Sequence, residues 1–247
     1  MLPIPAEELN GSGTLGPYWT FYRAVVEEQL SRWLPGEPSV VLDLSGGRGR
    51  WSGQAARAGH RVIEVLDWRR AAEGQSRLRD AERVRSVRAD DLAFLPDESV
   101  DAVLAEERAM SIELMAESAM SDVARVLRPG GRTLVCVDSL VLGMAILAEQ
   151  GQWQHLRQTG EVMLVPWPDG SITRCFSSGQ LRELLMGAGL EVEWVRPRTV
   201  LSPSTVDHVL GSGTRALNWL VRTELEAHPD DDDTVGIHLV ASARKVS

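Results

Sequence analysis

The sequence predicts an α/β domain built on a mostly parallel sheet with helices on both faces. Short apolar runs suited to buried strands alternate with segments of helical periodicity, at the spacing of β-α-β units. The chain has 247 residues, enough for one such domain with an elaboration. Its composition, with 43% hydrophobic and 25% charged residues, is typical of a globular protein that has a sizeable core.

The N-terminal elements follow from the spacing of apolar residues. Residues 18–34 predict a helix, because apolar side chains recur at three- and four-residue steps until Pro35 and Gly36 end the pattern. Residues 39–44 form an apolar run that is too short for a helix, and they predict a buried strand. The next predicted elements are a helix at 50–58, a strand at 61–66, a helix at 69–83 and a strand at 84–88.

The alternation continues through the second half of the chain. The turn Pro129-Gly130-Gly131 ends one predicted helix, and Gly187 ends a shorter one. The predicted elements are a strand at 99–105, a helix at 112–127, a strand at 132–137, a helix at 178–186, and strands at 190–195 and 236–244. We expect one domain over residues 1–247.

Two segments are longer than the connections that a simple alternation of strands and helices needs. Residues 138–176 and 197–234 each add about forty residues between late elements, and insertions of this length in a compact domain often have a function. Both contain apolar and aromatic residues, including Trp153 and Trp167 in the first and Trp219 in the second. We expect the two insertions, together with the N-terminal helix, to form a lid over the open edge of the sheet.

The composition argues against several classes of partner. A net charge of -9 disfavours general binding to nucleic-acid phosphate, which requires basic surface. Cys136 and Cys175 have no metal-ligand spacing and form no disulfide framework. No apolar run approaches the ~20 residues that cross a bilayer, and no signal-peptide pattern is present. We expect a cytoplasmic monomer or homodimer that binds neither nucleic acid, membrane nor metal.

A glycine-rich turn follows the first predicted strand. Residues 40–49 read VVLDLSGGRG, with three glycines within four positions directly after the apolar run. Glycine permits positive φ and lets backbone approach a ligand closely, and a helix N-terminus supplies unpaired N–H groups. The pattern therefore indicates either a nucleotide-binding turn or a tight strand-to-helix turn without a ligand.

The position of one acid distinguishes two kinds of nucleotide site. A dinucleotide-binding fingerprint, G-x-G-x-x-G, would require glycine where this chain has Ser52. Asp43, inside the strand, would also oppose the pyrophosphate of an anionic dinucleotide. A cofactor with a sulfonium and an ammonium group is instead stabilised beside a carboxylate. The turn therefore favours a cationic cofactor.

VLDLSGGRG resembles the first motif, V-L-D-L-G-x-G-x-G, of class I S-adenosylmethionine-dependent methyltransferases, in particular the type 11 group. Residues 89–105, 124–137 and 176–195 resemble later parts of this family in the correct order. The resemblance implies a Rossmann-like sheet of seven strands, mostly parallel with the last strand antiparallel, and helical lid insertions. It also implies S-adenosylmethionine as cofactor and S-adenosylhomocysteine as product.

The resemblance further implies which residues bind the cofactor. Asp67 is expected at the ribose hydroxyls, with Glu64 as the alternative, and Asp90 is expected at the adenine, with Asp91 as the alternative. Asp67 acting only as a helix cap, and Asp90 only as a turn acid, remain open. Ser45 departs from the motif's first glycine and restricts the turn. The full implied set is Tyr22, Asp43, Ser45, Gly46, Gly47, Gly49, Asp67, Trp68, Asp90, Asp91, Leu92 and Glu106.

By resemblance, the reaction is methyl transfer to an O or N atom of a small-molecule acceptor, expected to be a specialised metabolite. A general base is needed only if the attacking atom still holds its proton. His208, His155 and Glu106 are the predicted bases, the histidines because imidazole accepts a proton near neutral pH. A packing or surface role is the alternative for each histidine. Methylation of a peptide, protein or tRNA, or a cofactor-binding homologue with other chemistry, also remains open.

Overall fold

The strands and helices alternate along the chain in the computed structural model, which describes residues 16–46, 50–66, 82–152, 162–167, 170–211, 216–226 and 236–246. The strands are β1 (Val40–Asp43), β2 (Arg61–Leu66), β3 (Val84–Arg88), β4 (Val100–Ala105), β5 (Leu127–Ser139), β6 (Met163–Pro166), β7 (Ile172–Phe176), β8 (Leu190–Arg198) and β9 (His238–Lys245). The helices are α1 (Gly16–Trp33), α2 (Arg50–Arg57), α3 (Ala109–Ile112), α4 (Ala116–Val126), α5 (Leu140–Glu149), α6 (Ser178–Gly187), α7 (Pro203–Leu210) and α8 (Ala216–Glu226).

The described strands join in one nine-stranded sheet. Seven of them have the order β3-β2-β1-β4-β5-β9-β8, in which β1 to β5 are parallel and β9 is antiparallel to both of its neighbours. This confirms the predicted fold class and its antiparallel last strand. The other two strands, β6 and β7, form a hairpin, and β7 pairs with the last two residues of β5. The sheet therefore has two strands more than the seven expected.

Both faces of the sheet are covered by helices, as the apolar character of the strands requires. On one face, α1 and α2 bury Leu30, Trp33 and Trp51 against the strands. On the opposite face, α4 and α6 bury a second set that includes Met120 and Leu181. Each of these side chains contributes about 1.5–3 kcal/mol by leaving water. The two layers of helices hold the sheet between them and so fix the positions of the strand ends.

Two predicted elements differ from the structure for local reasons. The helix expected at 112–127 is divided, because Glu113 has extended backbone after α3 and α4 begins three residues later. The strand expected at 132–137 begins earlier, at Leu127, and its pairing with β4 shifts register around the Pro-Gly-Gly turn. Gly130 has a φ of 78°, and a Cβ on Gly131 would lie 2.9 Å from the carbonyl oxygen of Arg128. The helix predicted at 69–83 lies almost entirely outside the described residues.

The two insertions differ in structure. The described part of the first contains α5 packed on the β6–β7 hairpin, so it is only partly helical, and its own small core includes Leu142, Ile146 and Val165. The second contains the expected helices, α7 and α8, which pack on the N-terminal half of α1. Within the described ranges, no helix combines the length and apolarity needed to span a bilayer.

Candidate functional site

Polar side chains gather at one edge of the sheet, where the parallel strands end. Because β9 is antiparallel, its first residue lies at the same edge as the last residues of β5 and β8. Ligands of open α/β sheets bind at this carboxyl edge. The buried polar residues found there are Asp43, Ser45, Glu106, Asp138, Arg198 and His238.

The turn after β1 is organised by Asp43. One of its carboxylate oxygens accepts the backbone N–H of Ser45 at 2.9 Å, and the other accepts the hydroxyl of Ser52, on α2, at 2.5 Å. Burial raises the pKa of Asp43, and these hydrogen bonds oppose that shift. The positive φ of the described turn, 85°, falls at Gly46, whereas Ser45 does not have a positive φ. Serine at position 45 is therefore compatible with the turn.

The side chain of Ser45 links the ends of two neighbouring strands. Its hydroxyl accepts the backbone N–H of Glu106, the residue after β4, at 3.2 Å. Glycine, which the resembling motif has here, could not make this bond. The substitution therefore ties the turn to β4. Gly47 and Gly49 lie outside the described residues.

Glu106 and Arg198 form a buried ion pair between the ends of β4 and β8. The two guanidinium nitrogens Nη1 and Nη2 lie 2.8 Å from the two carboxylate oxygens, and both side chains are at most 2% exposed. Arg198 also donates to Gln29 of α1 at 2.9 and 3.1 Å and to the sulfur of Cys136 at 3.4 Å. This pair fixes α1 to the sheet. The role of Glu106 as a base stays a prediction, and both of its oxygens are engaged here.

A second set of polar contacts crosses the same edge of the sheet, from α1 to the end of β5. The hydroxyl of Tyr22 lies 2.8 Å from Nδ1 of His238, and Nε2 of that ring lies 3.5 Å from Oδ1 of Asp138. Nε of Arg108 lies 2.8 Å from the same Oδ1. Burial raises the pKa of Asp138, while burial and the nearby Arg108 and Arg198 lower the pKa of His238 well below its ordinary value. The imidazole is therefore neutral near pH 7.

The segment after β4 is strained. Glu107 and Arg108 have φ values of 54° and 64°, and non-glycine residues with positive φ are uncommon and concentrate at functional sites. The guanidinium of Arg108 lies 4.6 Å from the centre of the Trp167 ring. The indole N–H of Trp167 donates to Thr173 at 2.7 Å. These contacts join the first insertion to the carboxyl edge.

The expected ribose and adenine residues lie at the ends of β2 and β3. β2 ends at Leu66, and Asp67 and Trp68 follow outside the described residues. Glu64 is buried within β2, and its carboxylate accepts the hydroxyl of Ser86 at 2.8 Å. Three further residues of the predicted set follow β3: Asp90 and Asp91 are exposed and Leu92 is buried.

Of the two predicted histidine bases, only His208 lies within the described residues, and its role as a base stays a prediction. His208 is exposed on α7, and His155 lies outside the described residues.

The sequence analysis missed four residues that the structure places at the carboxyl edge of the sheet: Arg108, Asp138, Arg198 and His238. Asp138 could have been found by asking which polar residue directly follows a predicted parallel strand, whereas Arg108 and Arg198 each lie three residues beyond a predicted strand. His238 begins an antiparallel strand and gave no such signal. The described residues contain no cluster of His, Cys, Asp and Glu able to hold a metal ion.

The buried imidazole predicts a pH-dependent stability. Below pH ~6.5 the unfolded chain protonates this histidine while the folded chain does not, so the free energy of unfolding falls by up to about 1.4 kcal/mol per pH unit. Asp138, with its raised pKa, contributes with the opposite sign at lower pH. Urea denaturation of wild type and His238→Asn between about pH 7.5 and 5.5 tests this. We expect the variant to depend less on pH, and equal slopes would contradict a neutral buried His238.

Part of this chain matches a known protein family by sequence. A family model described as a methyltransferase domain matches residues 42–135, from β1 into β5. Among curated proteins, none has a sequence that matches this chain significantly.

Three solved structures illustrate the shared fold. The 1,6-didemethyltoxoflavin-N1-methyltransferase of Burkholderia thailandensis, with 1,6-didemethyltoxoflavin and S-adenosylhomocysteine bound, is 19% identical over 100% of this chain and 93% of that one, with a TM-score of 0.59. The [4+2]-cyclase SpnF is 19% identical over 90% and 80%, with a TM-score of 0.58. An S-adenosylmethionine-dependent methyltransferase from Mesorhizobium loti is 15% identical over 91% and 100%, with a TM-score of 0.57.

The structural similarity to these proteins establishes the fold. The family match covers the strands that carry the turn after β1 and the acid after β4. The sheet order and the antiparallel β9 agree with it. Residues 42–135 therefore match a methyltransferase domain, and the whole chain has the fold of solved S-adenosylmethionine-dependent methyltransferases.

Proposed function

We propose that this protein transfers a methyl group from S-adenosylmethionine to an oxygen or nitrogen atom of a small-molecule acceptor, bound at the carboxyl edge of the sheet. The observation that carries the proposal is the environment of Asp43. Among the described residues its carboxylate has neutral donors and no basic partner, whereas Glu106 is matched by Arg198. The negative charge left at the end of β1 suits a cationic cofactor.

The chain's own residues would hold the cofactor in three groups. The turn residues Asp43, Ser45, Gly46, Gly47 and Gly49, with Tyr22 and Glu106 beside them, surround the methionine part. Asp67 and Trp68 bind the ribose, and Asp90, Asp91 and Leu92 bind the adenine. When bound, S-adenosylmethionine supplies a methyl group already activated by its sulfonium, so the protein contributes alignment and exclusion of water.

The acceptor is proposed to lie next to this turn, over the ends of β4, β5 and β9. α1 and the two insertions, 138–176 and 197–234, would form one lid over that position within a single domain of residues 1–247. The support is their anchorage at the edge: Arg108 contacts Trp167 of the first insertion, and Arg198, at the start of the second, pairs with Glu106 after β4. Such a lid would shut out water during transfer.

A small acceptor is favoured over a macromolecular one by the charges at the edge. Arg108 and Arg198 are each paired with a buried acid, so neither is free to bind the phosphates of tRNA. A protein of the same fold is a 1,6-didemethyltoxoflavin-N1-methyltransferase with 1,6-didemethyltoxoflavin bound, which is consistent with this class. Because another is named as a cyclase, a cofactor-binding protein with other chemistry is the second candidate.

The proposal is tested by the fate of labelled methyl groups. Purified protein is incubated with S-adenosylmethionine labelled in its methyl group and with three separate pools: small metabolites, peptides and proteins, or tRNA. We expect label only in the small-molecule pool. Label in tRNA or protein would replace the proposed acceptor class, and cofactor binding without any transfer would favour the second candidate.

The lid predicts a difference between two tryptophans. Trp167→Ala removes the ring that packs on Arg108 and so loosens the lid over the acceptor; we expect the acceptor KM to rise about tenfold, equivalent to about 1.4 kcal/mol of binding free energy. The affinity for S-adenosylhomocysteine should not change. Trp219 is 58% exposed on α8, and Trp219→Ala is the control, expected to leave both quantities unchanged. Equal effects of the two substitutions would contradict this placement of the acceptor. The sequence alone predicts the same effect for Trp153 and Trp219 as for Trp167. Trp153 lies outside the described residues, and the exposure of Trp219 is the reason for its use as the control.

A further inference from the structure

Three side chains from different elements form a continuous chain of polar contacts at the carboxyl edge. Tyr22 comes from α1, His238 from the start of β9 and Asp138 from the end of β5. The phenol oxygen and Nδ1 are 2.8 Å apart, and Nε2 and the carboxylate are 3.5 Å apart. His238 and Asp138 are 7% and 0% exposed, while Tyr22 is the most accessible of the three. Tyr22 is therefore the one member of the three that reaches partly exposed surface, while burial of its phenol oxygen raises its pKa well above the ordinary value.

The arrangement is costly for a purely structural contact. The carboxylate of Asp138 is fully buried and lies 2.8 Å from Nε of Arg108 and 3.5 Å from Nε2 of His238. Taking charged groups out of water costs several kcal/mol per ion, so a buried ion pair is weak evidence of a stabilising role. The strained backbone of Arg108 adds to the cost. A role in the reaction accounts for a buried charge and a strained backbone that do not favour folding.

We propose that Tyr22, His238 and Asp138 form a proton relay that accepts the proton of a hydroxyl acceptor during methyl transfer, with Tyr22 as the catalytic residue that touches the acceptor. The inference rests on the proposed function and narrows it to O-methylation. His238 and Asp138 act through Tyr22 and are positioning residues. The relay lies over β5 and β9, beside β4, and the cofactor turn follows β1 on the other side of β4.

The proton and electron movements balance as follows. An oxygen lone pair of the acceptor forms the new bond to the methyl carbon, and the electrons of the broken carbon–sulfur bond remain on sulfur, which becomes a neutral thioether. The acceptor's proton moves to the phenol oxygen of Tyr22, whose own proton moves to Nδ1 of His238. Nε2–H then donates to Asp138, which stabilises the imidazolium until it releases a proton to solvent.

The groups around His238 act in opposite directions on this transfer. Burial, followed by the cationic Arg108 and Arg198, lowers the pKa of His238 and leaves Nδ1 unprotonated before the reaction, and the carboxylate of Asp138 stabilises the imidazolium that forms. The other titratable groups near the phenol are Glu106 and Cys136. An amine acceptor would attack as its free base and lose its proton after transfer. Only a hydroxyl acceptor needs the relay in the transfer step itself.

The test compares matched acceptors and matched variants. A panel of phenols and the corresponding anilines is assayed with labelled S-adenosylmethionine, using wild type, Tyr22→Phe, His238→Asn and Asp138→Asn. Tyr18→Phe is the control, since Tyr18 precedes Tyr22 by one helical turn and bonds Thr199 at 2.8 Å instead. Titration with S-adenosylhomocysteine and circular dichroism establish that each variant is folded and binds cofactor.

We expect wild type to methylate phenols, and Tyr22→Phe to lose about 100-fold or more of kcat with little change in KM. The loss should be small for 4-nitrophenol at mildly alkaline pH, because an ionised acceptor needs no base. Asp138→Asn should shift the pH profile of kcat, and Tyr18→Phe should leave kcat and its pH profile unchanged.

An equal loss of kcat in Tyr22→Phe on neutral and ionised phenols, or methylation of anilines alone, would contradict the relay but leave the proposed methyl transfer unaffected. A panel in which no phenol is methylated, although cofactor binds, would also overturn it. Failure of wild type to bind S-adenosylhomocysteine would overturn the proposed function itself.

Discussion

Arg198→Met is expected to lower the free energy of unfolding by about 3–5 kcal/mol, because it leaves the carboxylate of Glu106 buried without its cation. The guanidinium is 1% exposed and is the only described partner of both carboxylate oxygens. Its removal also leaves Gln29 without the donors that fix α1. Urea denaturation monitored by tryptophan fluorescence and circular dichroism measures the loss.

The double variant Glu106→Leu/Arg198→Met is the control for this substitution. Replacing a buried ion pair by apolar side chains of similar size is often neutral or stabilising. We therefore expect the double variant to recover most of the stability that Arg198→Met loses. If the double variant is no more stable than the single one, the cost comes from lost packing of α1 and the ion pair has no special role.

Asp67→Ala is expected to weaken binding of S-adenosylhomocysteine by about 1.5–3 kcal/mol, the range for a hydrogen bond to a charged group. The ribose hydroxyls would lose their acceptor while the fold remains. Calorimetric titration measures the affinity, and thermal unfolding without ligand checks the fold.

Glu64→Ala distinguishes the two acids of the second strand. Glu64 is fully buried and accepts the hydroxyl of Ser86 in β3, so its removal should reduce stability more than affinity. If Glu64→Ala weakens cofactor binding and Asp67→Ala does not, the ribose contact belongs to Glu64.

The fold was largely predictable because most strands of the parallel sheet are isolated apolar runs bounded by turn residues; β3, with the sequence VRSVR, is the exception. The β6–β7 hairpin was missed, although the signal was present: the dipeptide Asp169-Gly170 separates two apolar runs and is typical of a hairpin turn. Pro166 pairs with Ile172 across this turn. Both strands are short, and Leu164 and Ile172 are about half exposed, so their alternation is weaker than that of the core strands.

The candidate site was predictable only where its residues are close in sequence. The turn from Asp43 to Ser52 belongs to one motif, and its hydrogen bonds connect near neighbours. The relay joins Tyr22 and His238, which are 216 positions apart, and only the antiparallel return of β9 brings them together. No local pattern encodes such a contact. The pairing of Glu106 with Arg198 is non-local in the same way.

The central claim, that this edge of the sheet binds the methyl-donor cofactor, is tested most directly by calorimetric titration with S-adenosylhomocysteine. We expect one site per chain and a thermal stabilisation equivalent to about 2.7 kcal/mol at a hundredfold excess over Kd. A nicotinamide dinucleotide, titrated in parallel, should produce neither binding heat nor stabilisation. Absence of S-adenosylhomocysteine binding at high micromolar concentration, or equal binding of the dinucleotide, would contradict the claim.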